Sequence, residues 1–256
     1  MNTTLNILIT GASSGIGLAL AQEYLNQGHR VFALARSAEK LTALQVSYPE
    51  QIITLVADIS QLDQVNSVKA QLLQQTPYLD LLILNAGTCE YVDARDFSSA
   101  VFNRVDSVNW KGNHHCLEVF LPILLAAKQY SKVPHLVGVS SLASILPLPR
   151  SEAYGASKVA FEYLLKSLQV DLHSQGLKMT IVRPGFVDTP LTQRNDFAMP
   201  LIVSSEKAAT IISKGIASGK HRIEFPKPLV WSMKLIALLP FGLQKRILQK
   251  VVKEQP

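Results

Sequence analysis

Cysteine is nearly missing from this 256-residue chain, with only Cys89 and Cys116. They form neither a spaced metal-binding pair nor a disulfide framework, which sets aside cysteine-rich metal domains and small secreted scaffolds and points to a reducing compartment, the cytoplasm. Charge is also sparse, at 17% of residues against 48% hydrophobic, the balance of a globular protein rather than a disordered chain or a charge-rich coiled coil. The apolar stretch Leu229 to Leu239 is broken by Lys234 and reaches only about half the ~20 residues of a membrane-spanning helix. Met1-Asn2-Thr3-Thr4 runs at once into Leu5-Asn6-Ile7-Leu8-Ile9, leaving no room for a cleavable signal peptide. No repeat, low-complexity tract or linker divides the chain, so one domain is expected. The net charge of +6 suits an anionic ligand or surface, and no nucleic-acid partner is expected from it.

What is present is a recurrence of short apolar runs, at Ile7–Ile9, Val31–Ala35, Ile52–Val56, Leu81–Leu84, Leu136–Val139 and Met179–Val182, with helix-like stretches between most of them. The alternation predicts an α/β fold, a doubly wound parallel sheet with helices on both faces. Ligands of such sheets gather at the carboxyl ends of the strands, so function is sought just after each run.

After the first run comes Thr10-Gly11-Ala12-Ser13-Ser14-Gly15-Ile16-Gly17, followed by the helix-like Leu18-Ala19-Leu20-Ala21. Glycines allow a tight turn and close backbone approach, and a helix N-terminus offers unpaired N–H groups to a pyrophosphate. Gly11, Ser13, Ser14, Gly15, Ile16 and Gly17 are therefore expected to cradle a dinucleotide. An NAD-preferring site has an acid at the end of the next strand, but here Ala35-Arg36 stands there. A guanidinium at this place holds a 2′-phosphate, so NADP(H) is preferred over NAD(H). Lys40 is placed to assist. Asp58, with Ile59 after the third run, is expected beside the adenine.

Tyr154 and Lys158 stand at i and i+4, on one helical face. A cation about 4 Å from a phenol, worth roughly 4 kcal/mol, lowers its pKa by about three units at most, which would poise Tyr154 near neutrality as a general acid/base. Ser140-Ser141 after the fifth run supply a hydroxyl for a substrate oxygen. Asn85-Ala86-Gly87 and Pro184-Gly185 end the fourth and sixth runs, so several strand ends converge on one crevice.

Together these motifs resemble the short-chain dehydrogenase/reductase family across residues 1–225, in the family's order. The resemblance implies a single-domain Rossmann-type fold and a carbonyl/alcohol oxidoreductase acting on a small molecule. It selects Ser141, thirteen residues before Tyr154, over Ser140. It implies that Lys158 also binds the nicotinamide ribose, that Asn109 holds a water for proton relay, that Thr189 touches the carboxamide side of the cofactor, and that Val187 is among the cofactor-binding residues. The alternative is an NADP-binding sensor or scaffold without turnover; an epimerase or dehydratase on the same fold is a third reading.

His114-His115-Cys116 are adjacent on a helix, where neighbours diverge by about 100°, so no metal site is expected. By the resemblance, this helix pairs subunits of a homodimer or homotetramer. Gln193–Val203, with Phe197, Met199, Leu201 and Ile202, is read as a lid or as core. Residues 226–256 form an apolar then basic amphipathic extension, with Leu243, Ile247, Leu248, Val251 and Val252 as its apolar positions. It is expected to pack on the domain, at an interface or peripherally on a membrane.

Overall fold

The computed structural model describes residues 4–253. The N-terminal reading at residues 1–3 and the end of the extension at 254–256 lie outside the described residues, as do the side chains of Val251 and Val252. The first half of the chain runs β1 (Asn6–Thr10), α1 (Gly15–Asn26), β2 (Arg30–Ala35), α2 (Ala38–Ser47), β3 (Ile52–Val56), α3 (Leu62–Leu73) and β4 (Leu81–Leu84). Next come α4 (Ser99–Asp106), α5 (Asn113–Leu125), β5 (His135–Val139) and α6 (Glu152–Asp171). The remainder is β6 (Lys178–Pro184), β7 (Val187–Asp188), β8 (Val203–Ser204), α7 (Ser205–Ala217), β9 (Arg222–Phe225), α8 (Lys227–Ala237) and α9 (Phe241–Lys253).

All six predicted runs are strands of one parallel sheet with the order β3-β2-β1-β4-β5-β6-β9. The seventh strand, β9, was not read from the sequence. Its residues Arg222-Ile223-Glu224-Phe225 alternate charged and apolar, unlike the continuous apolar run of a strand buried on both faces. Strands β7 and β8 form a separate two-stranded ladder.

The pleat divides the core. Ile7 and Ile9 of β1 join residues of α1, α2 and α7 in one buried cluster, whereas Leu8 joins α3, α5 and α6 in the other. Helices therefore cover both faces, because side chains of successive strand residues point in opposite directions. The order of strands reverses between β1 and β4, and this opens a crevice at their carboxyl ends.

Helix α8 packs Val230 and Met233, with Leu229 and Ile236 partly buried, on Leu142 and Leu146 just after β5. The predicted extension is thus two helices, and the inner face of the first is committed to the loop that carries Ser141.

Candidate active site

The crevice is a cavity of about 810 Å³, lined by every residue predicted for the site except Gly17 and Asn109, which lie immediately behind its wall. Its centre is held by hydrogen bonds between the two strands that flank the reversal. Thr10 Oγ1 accepts from the backbone N–H groups of Asn85 and Ala86, both at 3.0 Å, and Asn85 Nδ2 donates to Thr10 O at 3.0 Å. The glycine turn and Asn85-Ala86-Gly87 are therefore one rigid unit.

Close packing explains the glycines. Gly11 has φ +70°, in the left-handed region, and a Cβ on Gly17 would lie 2.2 Å from Gly11 O and 2.5 Å from Asn85 Nδ2. Ser14 precedes α1 in an extended conformation and gives its first turn no side-chain cap. The N–H groups of that turn thus face the cavity, the arrangement that receives an anion.

At the adenosine end, Arg36 and Asp58 both line the cavity and approach each other, with Arg36 Nη1 3.7 Å from Asp58 Oδ2. Asp58 also accepts from Ser60 N–H through Oδ1 at 2.9 Å, which shapes the turn after β3. His115 on α5 donates from its Nδ1 to Ile59 O at 2.9 Å, so the middle of the adjacent-histidine motif is spent on positioning this turn.

At the opposite end, α6 brings Tyr154 and Lys158 to the cavity beside Ser141. Lys158 Nζ donates to Val139 O at 3.0 Å and lies 5.6 Å from the centre of the Tyr154 ring. Spacing alone predicts a phenol lowered by Lys158, whereas its burial acts in the opposite direction. Burial pushes the phenol above its ordinary range, the neighbouring Cys89 adds to this, and the Ser141 hydroxyl offsets only part. The i, i+4 spacing puts the ammonium near the ring, but its hydrogen bond aims it at a strand carbonyl. Burial also lowers Lys158 from 10.5 to about 8, against smaller opposing effects of Cys89 and Glu162.

The two serines divide their work. Ser141 Oγ accepts from Ala143 N–H at 3.1 Å, which leaves its own O–H to donate into the cavity. Ser140 also borders the cavity but is buried, and its hydroxyl is committed to Glu162 Oε1, to which it donates at 2.7 Å. The same carboxylate accepts from Ser144 at 2.6 Å and from Arg183 on both oxygens, at 2.8 and 2.5 Å. Arg183 also donates to Glu224 at 3.0 Å, which in turn binds Lys234 of α8 at 2.5 Å. This buried chain of charges ties α6, β6, β9 and α8 together behind the site. Motif reading passed over it because its members are scattered across 73 positions of sequence, from Glu162 to Lys234.

Asn109 sits in a six-residue π-helical segment, Ser107–Gly112, a distortion that recurs at functional sites. Its Oδ1 accepts from Thr88 N–H at 2.7 Å, and its Nδ2 donates to Thr88 O at 2.9 Å and to Ser157 Oγ at 3.0 Å. Both side-chain donors join the segment after β4 to the second turn of α6. Cys89 is a site neighbour that the sequence reading weighed only for metals and disulfides. Burial raises its thiol to about 11, so it stands beside Tyr154 and Lys158 as a neutral group.

The predicted lid is anchored to this neighbourhood. Phe197 packs edge-on against Phe186 and Tyr91, at 6.0 and 5.7 Å between ring centres, and Tyr91 donates its hydroxyl to Asn195 Oδ1 at 2.6 Å. Leu201 and Ile202 remain exposed.

A family model described as short chain dehydrogenase matches residues 5–198. An oxidoreductase of Myxococcus xanthus is 33% identical over 236 residues, covering 91% of this chain and 92% of that one. Among solved structures, a short chain dehydrogenase/reductase of Burkholderia phymatum in complex with NAD superposes with a TM-score of 0.81 at 23% identity, covering 91% and 92% of the two chains. A short chain dehydrogenase of Burkholderia cenocepacia in complex with NADP gives 0.81 at 21% identity, covering 95% and 97%. These two likenesses speak to the fold.

Proposed function

The chain belongs to the short-chain dehydrogenase family and is an oxidoreductase of that family, and on that premise we propose that it interconverts a carbonyl and an alcohol with NADP(H), using Tyr154 as general acid/base. The observation that carries this reading is the convergence of Tyr154, Lys158 and Ser141 at one end of a cavity whose other end is lined by the glycine turn and Arg36. The residues fit a dinucleotide, since the uncapped N-terminus of α1 and the closely packed glycines admit a pyrophosphate against bare backbone. When bound, the nicotinamide supplies hydride to the substrate carbon or accepts it.

The protein's own groups handle the proton. In reduction, Ser141 O–H and Tyr154 O–H donate hydrogen bonds to the substrate oxygen and favour the negative charge that develops there. The raised phenol is protonated throughout the neutral range, which suits it to donation. As the carbonyl π bond opens, the Tyr154 proton passes to the oxygen and completes the alcohol. The resulting phenolate has the Lys158 ammonium nearby, 5.6 Å from the ring centre, and is reprotonated from solvent. Oxidation runs through the same positions in reverse. Asn109 acts by fixing Thr88 and Ser157 on either side of the site.

Arg36 supports the preference for NADP(H). Its pairing with Asp58 is loose and largely exposed, so it contributes little by itself and leaves the guanidinium available to a phosphate. Fold neighbours carry NAD in one case and NADP in another, so the fold does not select between them. Arg36→Ala should raise the KM for NADPH by about 10- to 100-fold with little change for NADH, the loss of a charge-assisted phosphate contact. Equal losses with both cofactors would remove this role.

The test of the activity is loss of NADPH absorbance during incubation with ketones and aldehydes ranging from small polar to long-chain apolar. Turnover with at least one class is expected. Tight NADPH binding without turnover across the range would favour the sensor or scaffold.

We further take residues 226–256 as an extension of a domain spanning 1–225, and the assembly as a homodimer or homotetramer. The apolar groove between α5 and α6, lined by Leu117, Leu121, Leu125, Leu164 and Leu168, supports pairing with a second copy. Two free thiols accord with the cytoplasm. Among the described residues no helix is long and apolar enough to cross a membrane.

A further inference from the structure

We propose that the outer face of α8 and α9 is a docking surface for an anionic lipid bilayer. Residues 226–256 contain six cations, Lys227, Lys234, Lys245, Arg246, Lys250 and Lys253, against one acid, Glu254. Lys234 is neutralised by Glu224. Lys227, Lys245, Arg246 and Lys250 are exposed.

Between these cations the two helices expose large apolar side chains. On α8, Val230 and Met233 are buried against the loop after β5, whereas Trp231, Leu235 and Leu238 are 69%, 67% and 83% exposed. Their spacing of four and three residues puts them on a single stripe. Phe241, at the start of α9, is 66% exposed, and Leu243 and Ile247 follow it along that helix. Arg246 and Lys250 neighbour Leu243 and Ile247 at helical spacing, so charge flanks the apolar stripe. The turn between the helices is fixed by Gln244, whose Nε2 donates to Ala237 O and Leu239 O. The exposed groups are therefore carried on a defined scaffold.

Charge selects the occupant. A two-fold contact between copies brings the same patch against itself, and here it would set cations against cations with a single acid, Glu254, in the segment to offset them. An anionic bilayer meets both requirements at once, taking the apolar stripe into its interface while its headgroups face the lysines and arginine. A tryptophan, which has an apolar body and one polar tip, suits that boundary.

The experiment is co-sedimentation of the full-length protein with vesicles, at low salt. Phosphatidylcholine alone is compared with phosphatidylcholine mixed with phosphatidylglycerol. Wild type should pellet with the mixed vesicles, stay in solution with the neutral ones, and be released as salt screens the attraction. Reversing three exposed charges, Lys245→Glu with Arg246→Glu and Lys250→Glu, should lower the partition coefficient by about a hundredfold or more. Trp231→Glu with Leu235→Glu should lower it comparably, about a hundredfold, through lost apolar burial. Both sets are exposed, so the melting temperature and far-UV circular dichroism should stay near wild type. No pelleting of wild type with the mixed vesicles would overturn the proposal. So would a charge-reversed protein that binds as well as wild type. A fall in the native mass by light scattering in the Trp231→Glu, Leu235→Glu protein would also overturn it, because the face would then be a contact between copies.

Discussion

Tyr154→Phe should lower kcat for carbonyl reduction by about 10²- to 10⁴-fold, the range for loss of a positioned general acid, while NADPH still binds and the melting temperature stays near wild type. The substitution deletes one hydroxyl and keeps the ring. The helix that carries it is held independently of that hydroxyl, by Lys158 on Val139 O, by Ser157 on Asn109, and by Glu162 on Ser140. A large loss would therefore report chemistry rather than displacement of α6. Retention of more than about a tenth of kcat, outside the range for a lost general acid, would mean that another group protonates the product and would end the assignment.

The protonation states sharpen this expectation. With the phenol pushed above its ordinary range and Lys158 lowered to about 8, reduction should be steady through neutrality and decline as pH rises past about 8, where Lys158 loses the charge that faces the nascent phenolate. The original expectation of a phenol poised near neutrality predicts a different profile, with reduction already falling around neutral pH as the proton donor is lost. An initial-rate profile at saturating NADPH separates the two, provided stability is checked at each pH.

The success and failure of the sequence reading have physical causes. Strands β1 to β6 were legible because a strand buried on both faces must be apolar along its whole length, and β9 was hidden because Arg222 and Glu224 interrupt it. The position of the site followed from the strand ends, since the glycine turn, Asn85-Ala86-Gly87, Ser141 and Pro184-Gly185 carry local signals and the parallel topology makes them converge. The state of the phenol did not follow. Spacing on a helix says that two side chains are neighbours, but not how much water surrounds them or where an ammonium directs its hydrogen bonds. Burial outweighed proximity, and burial is a property of the whole fold. The same limit applies to Ser140 and Ser141. Adjacent in sequence and both at the cavity, they differ in their hydrogen bonds, Ser140 donating to Glu162 and Ser141 accepting from Ala143 N–H.

Glu162→Ala should destabilise the fold by about 3–5 kcal/mol, the usual cost of removing one partner from a buried ion pair. For a chain of this size that corresponds to a fall in melting temperature on the order of 10 °C. The carboxylate is the acceptor for Ser140, Ser144 and two nitrogens of Arg183, and its removal leaves the buried Ser140 and Arg183 without it. Burial alone would raise Glu162, but hydrogen bonds from Arg183, Ser144 and Ser140 and the Arg183 charge hold it at about 2. Because this folded value lies below the ordinary 4.5, the associated stability is present above about pH 4.5 and is lost as pH falls toward 2. Wild type should accordingly lose stability through that acid window, and the variant, already without the carboxylate, should lose less. Urea unfolding at neutral and acid pH measures both. The double change Glu162→Leu with Arg183→Met tests the cause, since Lys234 still neutralises Glu224 when Arg183 is gone. If an uncompensated charge is the source of the cost, the double variant should be more stable than Glu162→Ala, whereas a cost that merely adds would place the stability in packing around the two side chains instead.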